Sequence, residues 1–206
     1  MTTKRDRLIE EHRDINIEPW SWWDSIEDDL KSEMLEQGFV VTRMYFSGFW
    51  SQGDGACFEG HMSDWKKFCA TTPEFVTAFP YLSEYLKDAG ANYTVAHSGH
   101  YSHENCTVHG YESDLEYTLD NCNLEPDEPK EMMLLAIYQK ARGEEGDIYD
   151  WLKEHFKSRM RQLYRDLEKE YDYLTSDEAV WEAIVANELD KELEDENDEE
   201  AICAGA

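Results

Sequence analysis

Apolar residues recur at helical spacing in several parts of the chain, and they predict its main helices. Over residues 20–37 they draw one face, and Gly38 follows as a stop signal. The apolar positions of that face are Trp22, Trp23, Ile26, Leu30, Met34 and Leu35. A second helix is predicted over residues 128–142, and a long one over Ile148–Leu174. The long segment carries a single apolar stripe, so we expect it to pack on a sheet or on another helix.

Shorter helices are predicted between and after these segments. Residues 63–70 and 81–87 are expected to be helical, with Pro73 and Pro80 interrupting the part between them as a turn. Thr175 and Glu178 have capping-box spacing, which predicts that a new helix begins directly after the long one.

Alternating apolar and polar residues predict two pairs of strands. FVVTRMYFSGF at residues 39–49 and ACFEGHM at 56–62 are rich in β-branched and aromatic residues and flank a short loop, WSQGDG. Residues 92–101 and 106–117 form the second predicted pair. The expected fold class is α+β: an antiparallel sheet of about four strands in two hairpins, covered by helices. Residues 1–189 are expected to form one domain, with 190–206 as an acidic, disordered tail.

Charge narrows the classes of partner. The chain has 47 Asp and Glu against 19 Lys and Arg, a formal net charge of −28. Direct binding to nucleic acid is therefore not expected, because such binding needs basic side chains on the phosphates. The acidity serves solubility, or it presents carboxylates to a basic surface such as the nucleic-acid groove of a nuclease. No apolar run approaches the roughly 20 residues of a membrane span, and the polar start does not suggest a signal peptide, so a cytoplasmic protein is expected.

The loop at residues 50–55 has the composition of a functional loop. Gly53 and Gly55 permit positive φ, and Gln52 and Asp54 present a carboxamide and a carboxylate beside Trp50. The loop lacks the Lys and Ser/Thr of a phosphate-binding P-loop. A simple Asp-Gly hairpin turn and a binding loop remain equal alternatives. We expect Trp50 to be partly exposed, as interface tryptophans often are.

Histidine and cysteine side chains follow one another at a spacing of three in HSGHYSHENCTVH. They are His97, His100, His103, Cys106 and His109. On strands this spacing alternates faces, so neutral surface histidines are expected, with no metal and no cofactor. Zinc held at a hairpin turn near Glu104 stays an alternative. Five cysteines without a CxxC pair indicate neither a disulfide framework nor a zinc knuckle.

A catalytic set can also be drawn from the sequence. Cys57 or Cys106 would be the nucleophile, His103 the base and Asp54 the orienting group. Nothing in the sequence places these residues together, and both cysteines are expected to be small buried side chains on strands. The protein is therefore not expected to be an enzyme.

Three stretches resemble a family of prokaryotic and phage proteins described as antitoxin-like. They are YFSGFWSQGDGACFEG at residues 45–60, YSHENC at 101–106 and LYRDLEKEYDYLTSDEAVWEAIVANE at 163–188. The resemblance implies a protein of the bacterial cytoplasm that neutralises a toxin by binding it.

Resemblance and acidity together predict an acidic, non-enzymatic inhibitor of a basic protein, either a nucleic-acid-handling toxin or a host-defence enzyme. A phage anti-defence role as a DNA mimic is one form of this prediction. The residues expected to contact the partner are Trp50, Gln52, Asp54, Glu112, Asp114, Glu116, Asp120, Asp127 and Glu128. The alternative is a small-ligand or nucleotide binder or hydrolase that uses the loop and its surroundings. The residues expected for that ligand are Ser51, Gly53, Gly55, Tyr101 and His103.

Overall fold

A computed structural model describes residues 3–19, 21–89, 91–108, 129–141 and 148–191. In these ranges the helices are α1 (Lys4–Glu11), α2 (Asp24–Glu36), α3 (Trp65–Thr71), α4 (Pro73–Ala78), α5 (Pro80–Ala89), α6 (Pro129–Ala141), α7 (Ile148–Leu174) and α8 (Asp177–Ala186). The strands are β1 (Phe39–Phe46), β2 (Ala56–Met62) and β3 (Thr94–Val95), and a short 3-10 helix covers Glu104–Cys106. None of the helices in this part of the chain is both long and apolar enough to cross a membrane.

The strands form one antiparallel sheet in the order β1-β2-β3. β1 and β2 pair from Phe39 opposite Met62 to Phe46 opposite Ala56, with one irregularity next to Val41. The first predicted hairpin is therefore confirmed. The mixture of helices with an antiparallel sheet was also predicted, but the described residues contain three strands.

The second predicted hairpin is not confirmed. Its first strand, expected over residues 92–101, is limited to Thr94 and Val95, which pair with β2. Cys106 lies in the 3-10 helix, not in a strand. The rest of the second predicted strand, from residue 109 onward, lies outside the described residues.

The contacts divide the chain into two compact units, Ile26–Arg165 and a terminal unit made of Met1–Ser25 with Asp166–Ala206. In the first unit, Phe156 of α7 packs its ring on the sheet. Its centroid lies 4.5 Å from that of Phe39, 6.3 Å from Phe58 and 5.9 Å from Tyr93. The predicted apolar stripe of α7 is buried at Leu152, Phe156, Met160, Leu163 and Leu167. Both packing modes predicted for this helix are observed, because it packs on the sheet through Phe156 and on α3 and α4 through Trp151.

The segment between α3 and α5 is helical, so the turn predicted there is wrong. Pro73 and Pro80 are the first residues of α4 and α5. The first residue of a helix needs no backbone N–H donor within the helix, so a proline there loses no hydrogen bond. Its fixed φ also suits the first turn, and both prolines therefore begin helices. Phe68 and Phe75 then pack together, with ring centroids 5.2 Å apart, and Phe75 lies 5.3 Å from Trp151 of α7.

Helix α2 begins later than predicted. Leu30 and Met34 are buried, but Leu35 is 51% exposed and does not belong to the core. Trp22 and Trp23 precede the helix and are half-buried. Trp20 lies outside the described residues.

In the terminal unit, α1 was not predicted from the sequence. Its capping box pairs the Thr3 hydroxyl with the Asp6 backbone N–H at 3.1 Å and the Asp6 carboxylate with the Thr3 N–H at 2.8 Å. The buried residues of the unit form one cluster from α1 and α8, namely Leu8, Ile9, Val180 and Ile184. Two short apolar stretches far apart in sequence thus share one small core.

The cap of α8 lies one residue later than predicted. The Ser176 hydroxyl accepts from the Ala179 backbone N–H at 3.2 Å, while the Thr175 hydroxyl donates to the Tyr171 carbonyl at 2.8 Å. Arg13 stabilises this junction by donating to the Thr175 carbonyl at 2.9 Å and to the Asp177 carboxylate at 2.5 Å. The predicted single domain over residues 1–189 stays a prediction. From residue 192 onward the predicted acidic tail lies outside the described residues.

Candidate functional site

The loop that joins β1 to β2 covers residues 47–55 and is closed by Asp54. One oxygen of the Asp54 carboxylate accepts from the backbone N–H of Trp50 at 3.0 Å and of Ser51 at 2.6 Å. The Asp54 N–H donates to the Ser51 carbonyl at 3.0 Å, and the Ser47 N–H donates to the Gly55 carbonyl at 3.2 Å. The connection is therefore longer than a two-residue hairpin turn. Its carboxylate holds the loop backbone in place.

Trp50 is exposed at a fixed position on this loop. Its side chain is 79% exposed, which confirms the prediction. The ring stands edge-on against Phe49, with centroids 5.7 Å apart. Phe49 in turn packs against Phe46 at 5.0 Å and Tyr164 at 5.5 Å, and the Tyr164 hydroxyl lies 3.4 Å from the Phe49 carbonyl oxygen. The base of Trp50 is thus anchored to β1 and α7.

Tyr101 lies against the same loop, and a glycine makes this possible. Gly53 has a φ of +97°, and a Cβ there would lie 2.0 Å from Cδ1 of Tyr101. Tyr101 is 48% exposed, and its ring stacks on His103 with centroids 5.7 Å apart. Ser51 and Gln52 are exposed beside it. We call the exposed group Trp50, Ser51, Gln52 and Tyr101 the loop surface.

A cleft of about 300 Å³ opens beside the loop surface. Its lining comes from the loop, from the 3-10 segment and from α7: Asp54, Gly55, Ala56, His103, Glu104, Arg161, Tyr164 and Arg165. Loop and 3-10 segment touch closely, because a Cβ on Gly55 would lie 2.8 Å from the His103 Cβ. The structure therefore brings together Asp54, Gly55 and His103, three of the predicted site residues.

The α7 residues of the cleft were missed by sequence reasoning. Arg161 and Arg165 lie on consecutive turns of the helix, on the polar side of its apolar stripe. Arg161 pairs with Glu154 and lies 3.8 Å from the Glu104 carboxylate. A signal was present, since residues 153–165 contain five basic side chains and a single carboxylate in a strongly acidic chain.

The catalytic set drawn from the sequence is not assembled around Cys57. This cysteine is fully buried on β2 opposite Tyr45, as expected of a small strand residue, and it does not line the cleft. Asp54 and His103 both line the cleft, but the Asp54 carboxylate is engaged by two backbone N–H groups. The side chain of Cys106 lies outside what the structure describes.

The histidines do not follow the predicted strand pattern, because β3 ends at Val95. His97 stacks on Tyr45 with centroids 4.4 Å apart, and its Nε2 lies 3.1 Å from the Tyr101 carbonyl oxygen. His100 is exposed. Across the described ranges, no three His, Cys, Asp or Glu side chains are placed to hold a metal ion. His109 lies outside those ranges.

The acidic part of the predicted partner surface has no structural description. Its residues Glu112, Asp114, Glu116, Asp120, Asp127 and Glu128 all lie outside the described residues. Their contribution to binding stays a prediction.

The fold and the cleft define a mixed α and β protein with an antiparallel sheet, a braced hairpin loop and an arginine-lined cleft. The chain belongs to the family with the domain of unknown function DUF8835, whose model matches residues 22–177. No curated protein and no solved structure matches the chain. The loop surface and the cleft both lie inside the matched residues, whereas α1 precedes them.

Proposed function

We propose that the protein binds a basic protein and neutralises it one to one, without catalysis, and that this partner is a nucleic-acid-handling toxin or defence enzyme of a bacterial cell. The observation that carries the proposal is Trp50, a large aromatic side chain that is 79% exposed on a braced loop. Tryptophan is enriched among residues that dominate binding energy. A loop already held in one conformation loses little entropy when it binds.

Charge supports the choice of a basic partner. A net charge of −28 produces a negative field that attracts a positive groove and speeds encounter. Affinity then comes from a smaller patch that loses its water on contact, and the loop surface supplies such a patch. The resemblance to antitoxin-like proteins supports the class of partner. In one form of this proposal, carboxylates between Glu112 and Glu128 imitate DNA phosphates and contact the basic groove of the partner.

The first experiment captures the partner from extract of the native host with the wild-type protein and two variants. Trp50→Ala removes the exposed ring of the loop surface, and Tyr173→Ala removes another aromatic side chain, 63% exposed, on α7 in the terminal unit. We expect mass spectrometry to identify a basic protein with wild type and with Tyr173→Ala, and to recover much less of it with Trp50→Ala. Inhibition of the captured protein should be complete at one equivalent.

Two outcomes would contradict the proposal. Equal capture and equal inhibition by Trp50→Ala would exclude the loop surface as the contact. Complete inhibition by a small fraction of an equivalent, with turnover of a substrate, would replace the binding mechanism with an enzymatic one.

Kinetics of association provide a second, independent test. Steering by charge predicts that stopped-flow association slows several-fold between low and physiological salt, where the Debye length is about 8 Å. Trp50→Ala is expected to accelerate dissociation and to leave the association rate nearly unchanged. Charge reversals between Glu112 and Glu128 should slow association and leave the dissociation rate nearly unchanged. An association rate that does not change with salt would rule out electrostatic steering.

A further inference from the structure

The cleft beside the loop differs in charge from the chain as a whole. Acidic residues outnumber basic ones 47 to 19 overall, yet residues 153–165 of α7 carry five basic side chains against Glu154 alone. Two of the five, Arg161 and Arg165, line the cleft. With Asp54 and Glu104 also in the lining, the cleft has two guanidinium groups beside two carboxylates, a more basic balance than that of the chain as a whole.

The two carboxylates that also line the cleft are already engaged. Asp54 accepts two backbone N–H groups of its own loop, at 3.0 and 2.6 Å. Glu104 lies 3.8 Å from Arg161, within ion-pair distance but too far for a direct hydrogen bond, and Arg161 also pairs with Glu154. The Arg165 guanidinium donates to the carboxamide of Gln162 at 2.6 Å, and this partner is uncharged. Positive charge at Arg165 is thus not matched by the carboxylate oxygens of the lining.

We propose that the cleft is a binding site for the phosphate group of a small molecule, held between Arg161, Arg165 and His103. A guanidinium presents N–H donors in a planar fork that fits two phosphate oxygens, and guanidinium groups on successive helical turns can share one dianion. His103 also lines the cleft, and its imidazole can donate a further hydrogen bond, while the Tyr164 ring adds an apolar surface. A volume of about 300 Å³ suits a phosphate monoester such as a mononucleotide.

This site is separate from the partner contact proposed above. The Trp50 side chain is not among the residues that line the cleft, and the cleft arginines are not part of the loop surface. Binding of a phosphate compound can therefore be measured on the purified protein without any protein partner.

The test is isothermal titration calorimetry of the full chain at low ionic strength with three probes: adenosine 5′-monophosphate, inorganic phosphate and adenosine. We expect the monophosphate and inorganic phosphate to bind with one site per chain and adenosine not to bind. The ratio of the two phosphate affinities identifies the source of the group. A tighter monophosphate indicates an ester ligand, and equal affinities indicate free phosphate.

Variants on α7 locate the site. Arg165→Gln should weaken binding of the monophosphate about tenfold or more, because it removes a charge-assisted hydrogen bond. Lys157→Gln removes the same charge from the same helix outside the cleft lining, and it should change affinity less than about twofold. Arg165→Lys keeps the positive charge but removes the planar guanidinium, so its affinity for the monophosphate should lie between those of the other two variants. Because Arg165→Lys is a conservative substitution, its affinity for the monophosphate still tests the proposal if Arg165→Gln folds poorly.

Several results would overturn the proposal. They are no heat of binding with either phosphate compound, equal binding of adenosine and the monophosphate, or equal weakening by Lys157→Gln and Arg165→Gln. The last result would show general attraction to the basic helix and no site in the cleft.

Discussion

His155 is a histidine whose charged form is disfavoured by the fold. It lies on α7, with its ring stacked 5.3 Å from Trp151 and edge-on 5.4 Å from Phe68. Its Nε2 is buried and makes no hydrogen bond within the part of the chain that the structure describes. Burial, followed by the neighbouring positive charge of Arg159, lowers the pKa of His155 from 6.5 to about 4, while Glu74 acts in the opposite direction.

The sign of the pH effect follows from this lowered pKa. The unfolded chain binds a proton at His155 near pH 6.5, whereas the folded chain binds it only near pH 4. Acidification therefore favours the unfolded state. The stability that depends on neutral His155 is complete above about pH 7 and is lost as the pH falls from 6.5 towards 4. With these two pKa values, the free energy of unfolding at pH 5 is lower than at pH 7.5 by about 2 kcal/mol from this residue alone.

Urea unfolding of wild type and His155→Phe at pH 7.5 and pH 5 measures this contribution. Phenylalanine keeps a ring in the aromatic cluster and does not titrate. Carboxylates titrate in both proteins, so they cancel when the two are compared at each pH. We expect the stability of His155→Phe relative to wild type to rise by about 2 kcal/mol between pH 7.5 and pH 5. Leu35→Ala, at an exposed position that does not titrate, should show no such change. The same difference between His155→Phe and wild type at both pH values would refute the reasoning.

Three further predictions concern the core, the end of the chain and metal. Phe156→Ala should cost about 3–5 kcal/mol of unfolding free energy, because the ring is fully buried against the sheet, whereas Leu35→Ala should cost little. Truncation after Leu189 should leave the melting temperature nearly unchanged, since residues 190–200 are nearly all charged and offer few apolar groups to pack; a drop of roughly 8 °C or more would show that the removed residues pack. Elemental analysis of protein purified without chelator should find no stoichiometric metal, and one equivalent of zinc would contradict this.

Local patterns predicted those parts of the fold that need only local information. Helix α7 has the predicted bounds, because its apolar stripe is continuous. The β1–β2 hairpin was predicted because two stretches rich in β-branched and aromatic residues flank a short loop. Helix α1 was missed because its two buried residues, Leu8 and Ile9, gain their partners from α8, far away in sequence. The strand predicted over residues 92–101 is limited to Thr94 and Val95 in the structure. The prediction was too long because alternation of side chains does not show where the chain leaves a sheet.

The residues of the candidate site also fall into a group that local sequence patterns predicted and a group that they missed. Trp50 and its loop were predicted because unusual residue types lie next to one another in sequence. Arg161 and Arg165 were missed because on their own helix they are ordinary polar residues beside an apolar stripe. Their position in one cleft with His103 depends on packing between segments that are far apart in the chain. Composition could indicate only that this helix is basic in an acidic protein.

The position of Asp54 decides which substitutions can separate the two proposed activities. Its carboxylate holds the backbone of Trp50 and Ser51, and the same residue lines the cleft beside His103. Removing that carboxylate therefore disturbs the loop surface and the cleft wall together, so loss of function in Asp54→Asn does not identify a ligand site. Trp50 and Arg165 each belong to one of the two surfaces. Trp50→Ala and Arg165→Gln are for that reason the pair that distinguishes a protein contact from a phosphate site.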